Sequence, residues 1–402
     1  MIPVDKAKQI ILRNTEPLAK SERVAFLDSL HRILAENVKA TSDLPPFNRA
    51  TVDGYALRSI NVKGASEEDH VWLRIVDVVQ AGRPSKKKLR PGQAIKIMTG
   101  GVIPKGADCV VMKEQARIEG KNVLIFKSAQ KNEGISFQGE SARKGRVLLK
   151  KGNRVTSGVV SLLATLGLSR VYVYKKPKVA ILVTGNELLG VNQKLLPGKI
   201  RSSNQYGLSA QVKEVGAEPV ILGIARDNPR DTRNKIRKGL RFDILLISGG
   251  VSVGDFDLVP GTLKKIGVKI FFHKVAMQPG KPLIFGKKGE TYVFGLPGNP
   301  VSTMVCFCEF IRPCLMKMSG CTDVSLPKGE AVLDEEIKLT PKRTKFLRAK
   351  TFMRSGKVLV RLTSHQGSGN VLSLAQANCL LEIKEGVTRL AKGSKVIIEY
   401  LA

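Results

Sequence analysis

The chain has 402 residues, 43% of them hydrophobic, and its 67 lysines and arginines against 34 aspartates and glutamates leave a net charge of +33. That length exceeds what one hydrophobic core organises, so two to four domains are expected, and the absence of any run of about 18 apolar residues excludes a transmembrane helix. The opening MIPVDKAKQIILRNTEPLAK has no continuous apolar segment of the signal-peptide kind, so the cytoplasm is the expected location and no membrane partner is expected.

In chain order, Ile10, Ile11, Leu18, Val24, Leu27, Leu30 and Leu34 recur at three- and four-residue steps and predict helix through residues 1–40. The prolines of SDLPPFNRATVDGYAL end it. Between residues 45 and 170 the brief apolar runs WLRIVDVV, QAIKIMTGG, CVVMKEQ, NVLIFK and RVLLKKG predict small β-structures, with GVVSLLATLG (158–167) as a helix. At residue 178 the rhythm changes. KVAILVTG reads as a strand, SNQYGLSAQVKEVG as an N-capped helix, EPVILGIARD as a strand and NPRDTRNKIRKGL as a helix. FDILLISGG, LVPGTLKKIG and VKIFFHKVAM follow as strand, short helix and strand, and PVSTMVCFCEFIRPCLMKM closes the segment as a long helix. This alternation predicts a mostly parallel, doubly wound sheet. From residue 328, AVLDEEIKL, KFLRAKTFM, KVLVRLTS, CLLEIKEG and KVIIEYL predict a small β-domain.

The fold class is therefore α/β plus β. A central doubly wound sheet domain (176–325) stands between β-rich N-terminal domains and a small C-terminal barrel-like β-domain (326–402). The N-terminal part divides into a helical and β linker domain (1–45 with 140–175) and a β-rich insert (46–139).

The six cysteines (Cys109, Cys306, Cys308, Cys314, Cys321, Cys379) form no CxxC pair, and only four histidines are present. Buried reduced thiols are expected rather than a zinc site. The positive charge favours anionic partners. Its runs, such as SKKKLR and YKKPK, are short and lack the interleaved aromatics of a base-stacking platform, so nucleic acid is not the expected partner.

In open α/β sheets, ligands sit beyond the carboxyl ends of the strands. The loops TGNE, RDNP and SGGVSVGDFD would place Glu187, Asp227, Asp255 and Asp257 at that edge. In the last loop Gly249, Gly250 and Gly254, with Ser252 among them, allow backbone N–H groups to approach an anion closely. Carboxylates beside an anion cradle repel the ligand unless a hard cation lies between. Mg²⁺ suits that place, because it bridges one or two carboxylates to phosphate oxygens. The implied ligand is a nucleotide or another phosphorylated small molecule. The structural alternative is that Asp255 caps the next helix and Asp227 opens the DNP turn. Lys274 and Lys281 flank VAMQPG and can bind an oxyanion. GLPGNP, containing Gly298, presents amides at a helix start with Ser302 in the first turn. Arg348 lies in an alternating strand, where a solvent-facing side chain is expected. The loop SHQGSGNVLSLAQAN (364–378) is of a kind that binds small anions. Asp53 and Thr99 sit beside glycines in the β-rich insert, and composition does not connect them to the α/β site.

Ten stretches, in order along nearly the whole chain, resemble the molybdopterin molybdenumtransferase family, that of MoeA and the C-terminal domain of gephyrin. They are LPPFNRATVDGYALR, AGRP, IKIMTGGVIPKGADCVVMKE, TGNEL, GIARDNP, DILLISGGVSVGDFD, QPGKPLIFG, GLPGNPVS, FLRA and SGNVLSLAQAN. The resemblance implies an enzyme that takes adenylylated molybdopterin, hydrolyses the adenylate in a Mg²⁺- and molybdate-dependent way, inserts the metal and releases AMP. It implies a homodimer of elongated four-domain subunits with the active site between subunits, so that a partner subunit would contribute Asp53 and Thr99. Glu187, Asp227 and Asp257 match the family's acidic site residues, expected to hold Mg²⁺ and act on the adenylate. Lys274, Lys281, Ser302, Arg348 and Ser373 match positions implicated in binding molybdate or the substrate's anionic groups, and Pro297 and Pro300 match its site prolines.

Three positions depart from the common pattern. Ser141 stands where many members have aspartate, Asn186 where aspartate is frequent, and Gln278 where bacterial relatives often have lysine. Some relatives serve tungsten enzymes, so both molybdate and tungstate remain co-substrates. Two rivals keep or abandon the fold: a molybdopterin adenylyltransferase, usually a single α/β domain using Mg-ATP, and a basic nucleic-acid-binding protein. A receptor-binding scaffold in the manner of gephyrin has no sequence feature in its favour.

Overall fold

A computed structural model describes residues 1–18, 20–251, 258–339 and 342–401. The chain forms two compact units. One comprises Met1–Ala35, Gly152–Ser157 and Arg170–Ala402, and the other Glu36–Lys151 and Gly158–Ser169.

The first unit opens with helix α1 (Val4–Asn14), which buries Val4, Ala7 and Ile11. The helix predicted through residue 40 stops here. The Asn14 and Thr15 side chains donate to the carbonyls of Ile10 and Ile11, and Pro17 cannot donate a backbone N–H to continue the ladder. Ser21–Ala25 is instead a strand, paired antiparallel with Arg170–Tyr174.

The central sheet has six strands, β1 (Lys178–Thr184), β2 (Glu218–Ala225), β3 (Ile244–Ser248), β4 (Lys269–His273), β5 (Ile284–Lys288) and β6 (Thr291–Leu296), in the order β2-β1-β3-β6-β5-β4. The β2-β1-β3-β6 pairs are parallel, while β5 is antiparallel to both neighbours. That antiparallel corner comes from a tight hairpin: only Gly289 and Glu290 separate β5 from β6, with Gly289 at φ +56. Neither strand of this hairpin is among the elements predicted above.

Both faces of the sheet are covered, which explains unbroken apolar runs such as VAILV. Successive residues of β1 enter opposite cores. Val179 and Ile181 pack with α1, with α2 (Asn204–Glu214) and with the long C-terminal helix, whereas Ala180 and Leu182 pack with α3 (Pro229–Gly239) and α4 (Leu258–Lys265). The long helix begins as α5 (Pro300–Cys306), widens into a π turn over Phe307–Ile311 and resumes as α6 (Arg312–Met318). Pro313 lacks the N–H that the Glu309 carbonyl would otherwise receive, which accounts for the widening there.

Five strands, β7 (Lys328–Leu333), β8 (Thr344–Arg354), β9 (Lys357–Leu362), β10 (Cys379–Ile383) and β11 (Lys395–Tyr400), follow. Pairing runs β8-β9-β7-β11-β10 and returns to β8, so the ring closes into a barrel. Its interior is filled by Ala331, Leu347, Val360, Leu381 and Ile398.

The second unit is built on a six-stranded sheet in which Gly54–Leu57 pairs with both Gln93–Ile97 and Cys109–Met112. A Cβ on Gly54 would lie 1.9 Å from the Val111 carbonyl oxygen, so only glycine fits that crossing. No helix among the described residues is long and apolar enough to cross a membrane.

Candidate functional site

A cavity of about 770 Å³ opens at the carboxyl ends of β1, β2, β3 and β6. The loop after β1 brings Glu187 to its wall, and the loop after β2 brings Asp227. The two loops are locked together: the Asn186 N–H donates to Asp227 Oδ2 (3.1 Å), and the Asp227 N–H donates to Asn186 Oδ1 (3.2 Å). Asn186 therefore contributes a tie between the carboxylate-bearing loops. Gly185 sits at φ +147, a backbone conformation that disfavours any side chain, and an added Cβ would lie 2.4 Å from Glu187 Oε2, so the carboxylate would have to move aside. After β3, Gly249 and Gly250 turn at φ +96 and +63 and press against Thr184, whose carbonyl oxygen lies 2.5 Å from where a Gly249 Cβ would sit. Pro297, Gly298 and Pro300 line the same cavity.

The same cavity is lined by residues that sequence reasoning missed. Ser203 was expected to cap α2, but its side chain makes no cap hydrogen bond. Its neighbour Asn204 instead turns inward, and its Nδ2 donates to Ser248 Oγ (2.8 Å) and the Gly298 carbonyl (2.7 Å). The Ser248 and Thr303 hydroxyls both donate to the Pro297 carbonyl (3.0 and 2.6 Å), which fixes the GLPGNP turn. Such an asparagine beside a helix start reads as a cap in sequence, so nothing local announces its role.

A second cavity, about 280 Å³, adjoins the first at Pro282, which lines both. Lys281, Ser302, Arg343, Lys345 and Arg348 face it, along with Gln278. Arg348 does not point to solvent as its strand pattern predicts; it is 1% exposed. It shares a face of β8 with Phe346, and that face packs on the sheet domain. Its Nε donates to Ser373 Oγ (3.1 Å) and Nη2 to the Gly367 carbonyl (3.1 Å). Burial lowers its guanidinium pKa, and no carboxylate among the described residues pairs with it. Ser373, fully buried, stands behind Arg348 and donates in turn to the Asn370 carbonyl (2.7 Å). Ser373 thus orients the arginine rather than lining the cavity. Arg343 and Lys345 were not anticipated, since short β-segments rich in lysine carry no signal for which cations converge.

Lys274 lines neither cavity. It adopts φ +78 and turns the chain out of β4, and its carbonyl accepts from the Ile2 N–H (3.2 Å). Asp53 and Thr99 lie in the second unit and are joined to each other. Asp53 Oδ1 accepts from the Thr99 N–H and hydroxyl, both at 2.8 Å, and these bonds hold the carboxyl below its ordinary pKa. Ser141 is exposed, and its N–H donates to the Leu44 carbonyl. Asp255, Asp257, Ser252 and Gly254 lie outside the described residues. Among the described residues no three His, Cys, Asp or Glu side chains cluster as a metal site. All six cysteines are free, and burial pushes the Cys308 and Cys314 thiols up to about 12, as inert core residues require.

The chain matches three family models: the MoeA N-terminal region (domain I and II) over residues 2–167, a probable molybdopterin binding domain over 180–317, and the MoeA C-terminal region (domain IV) over 330–401. It is 39% identical over 400 residues to a molybdopterin molybdenumtransferase of Bacillus subtilis, covering 98% of this chain and 93% of the relative. A protein of the same name from Staphylococcus aureus is 37% identical over 398 residues, covering 99% and 95%. Among solved structures, a molybdopterin biosynthesis moeA protein from Pyrococcus horikoshii OT3 superposes with a TM-score of 0.87 at 31% identity, covering all of both chains.

Proposed function

The chain belongs to the MoeA family, and from that premise we infer that it is a molybdopterin molybdenumtransferase. It inserts molybdenum from molybdate into adenylylated molybdopterin in the last step of molybdenum cofactor assembly, releasing AMP. The observation that carries the reading at residue level is the pair of adjoining cavities, one walled by carboxylates and the other by cations.

In this reading the adenylate lies in the larger cavity. Glu187 and Asp227 offer two carboxylates from loops locked to one another, a donor set that suits Mg²⁺, which takes one or two carboxylates and completes its shell with phosphate oxygens. Bound there, the metal would screen the phosphate charge and favour departure of AMP. Asp257 is the third acid of the proposal. Glu187 would orient the attacking water, and the Gly249–Gly250 turn and the GLPGNP turn would seat the phosphates. Molybdate, a dianion, would settle in the smaller cavity between Lys281, Arg343, Lys345 and the buried Arg348, with Ser302 donating. A desolvated guanidinium without a carboxylate partner attracts an anion far more strongly than an exposed one does.

Lys274, Ser252, Gly254, Pro297, Gly298 and Pro300 remain proposed substrate contacts. So does a homodimer in which a partner subunit presents Asp53 and Thr99. The four-domain division given above is part of the same proposal, and the breaks between family models at 167–180 and 317–330 support it. The reaction is placed in the cytoplasm.

The test is to supply the purified protein with adenylylated molybdopterin, Mg²⁺ and either molybdate or tungstate, and to measure AMP and cofactor. Glu187→Gln is expected to reduce AMP release by at least about 100-fold, the scale of losing one aligned electrostatic group. Undiminished release would remove Glu187 from the chemistry.

A further inference from the structure

Three of the buried polar side chains left without a hydrogen-bond partner among the described residues line one cavity: Thr184 Oγ1, Ser202 Oγ and Asn204 Oδ1. All belong to the larger cavity, on the wall formed by the end of β1 and the start of α2. Thr184 is 6% exposed and Ser202 3% exposed, so bulk water does not readily serve them. Buried polar atoms are nearly always paired, and a cluster of exceptions in one cavity signals an absent partner.

The chemistry of that partner can be read from Asn204. Its amide orientation is fixed, because Nδ2 spends its two hydrogens on Ser248 Oγ and on the Gly298 carbonyl, and the carbonyl can only accept. The remaining atom, Oδ1, can only accept. Phosphate, molybdate and a dithiolene carry no N–H to offer it, so the anionic parts of the substrate cannot satisfy this position. The two hydroxyls can donate or accept, which matches the alternating donors and acceptors along the edge of an amino-substituted heterocycle.

We propose that Thr184, Ser202 and Asn204 form a reading surface for the amine-bearing edge of a nitrogen heterocycle, with Asn204 Oδ1 accepting from the exocyclic amine. The assignment deepens the reading above and rests on it, since adenylylated molybdopterin carries such an edge at both ends, in its adenine and in its pterin. Binding the heterocycle through these three residues leaves the carboxylates of Glu187 and Asp227, which line the same cavity, free for the phosphate linkage.

Two ligand pairs test this by calorimetry on the full chain with Mg²⁺: AMP against inosine monophosphate, and pterin against lumazine. In each pair the second compound has an oxygen in place of the amine. The expected result is a preference for the amine of about tenfold or more in one pair, which also identifies the ring that occupies the site. No preference in either pair would overturn the assignment. If the same protein still releases AMP from the full substrate, the molybdenumtransferase reading would stand without it. Thr184→Val and Ser202→Ala supply a second arm. Each removes an atom with no protein partner, so the ligand-free protein should unfold at the same or higher temperature, affinity for the preferred heterocycle should fall about tenfold, and affinity for inorganic pyrophosphate should hold. Earlier unfolding with unchanged heterocycle affinity would make these hydroxyls structural and refute the proposal.

Discussion

Replacing Glu309 by glutamine should make the first unit less sensitive to pH and more stable above neutrality. Glu309 sits in the π turn, 1% exposed, with Lys8 of α1 at 2.5 Å and Glu399 of β11 beside it. Burial pushes its carboxyl up, Lys8 pulls it back, and Glu399 pushes it further, leaving it raised from 4.5 to about 8. Glu399 moves the other way: burial opposes its ionisation, but hydrogen bonds from Glu309 and Lys328 outweigh burial and hold it ionised. The proton of the pair therefore resides on Glu309.

A carboxyl whose folded pKa is raised contributes stability that is complete below the unfolded value, here 4.5, and is lost as pH climbs to about 8. At 1.36 kcal/mol per unit, that interval of 3.5 units amounts to about 5 kcal/mol. The window is clean. The lowered Glu399 acts only below 4.5, and the raised Lys8 only above 10.5. Glutamine mimics the protonated form, so Glu309→Gln should match the parent near pH 5 and exceed it near pH 8.5 by on the order of 5 kcal/mol. Amide-exchange labelling across a urea series, read on β7 and β11, would measure this. Fluorescence would not, because the single tryptophan, Trp72, belongs to the other unit. Parent and variant stabilities that stay parallel from about pH 5 to 8.5 would refute the reasoning.

Ser373→Ala should remove the acceptor from Arg348 Nε, a buried charged hydrogen bond worth about 1.5–3 kcal/mol, and raise the KM for molybdate about tenfold with kcat little changed. An unaltered KM would mean that the guanidinium holds its pose without the hydroxyl. Gly185→Ala should displace the Glu187 carboxylate and strain the backbone by about 1–3 kcal/mol, lowering AMP release at least tenfold. Full turnover by that variant would show that the loop tolerates a Cβ.

The alternating part of the chain was readable because β1 and β3 are buried on both faces, and their unbroken apolar runs leave little choice of element. The same physics locates the strand-end loops, so the sequence itself points to Glu187 and Asp227, which line one cavity. The helix assigned beyond Asn14 failed because Val24 and its neighbours also fit a strand, and only pairing with Arg170–Tyr174, nearly 150 residues away, decides between the two. Arg348 was misplaced for a related reason. Alternation reports which face a side chain takes, but not that both faces of β8 are covered by different parts of the protein. Asn204 was hidden by its position, since a polar residue at a helix start has an ordinary local use. Its actual contacts, Ser248 and Gly298, lie 44 and 94 positions away.

Because β8 pairs with both β9 and β10, the five-stranded ring of the C-terminal domain closes on itself. An extended peptide seeking main-chain partners would find few free positions on that ring, whose strand β8 already takes Met277–Gln278 as a further partner. A protein that grips the ring does so mainly through side-chain shape and charge, and can be dislodged by substitutions on its surface without loosening the barrel beneath.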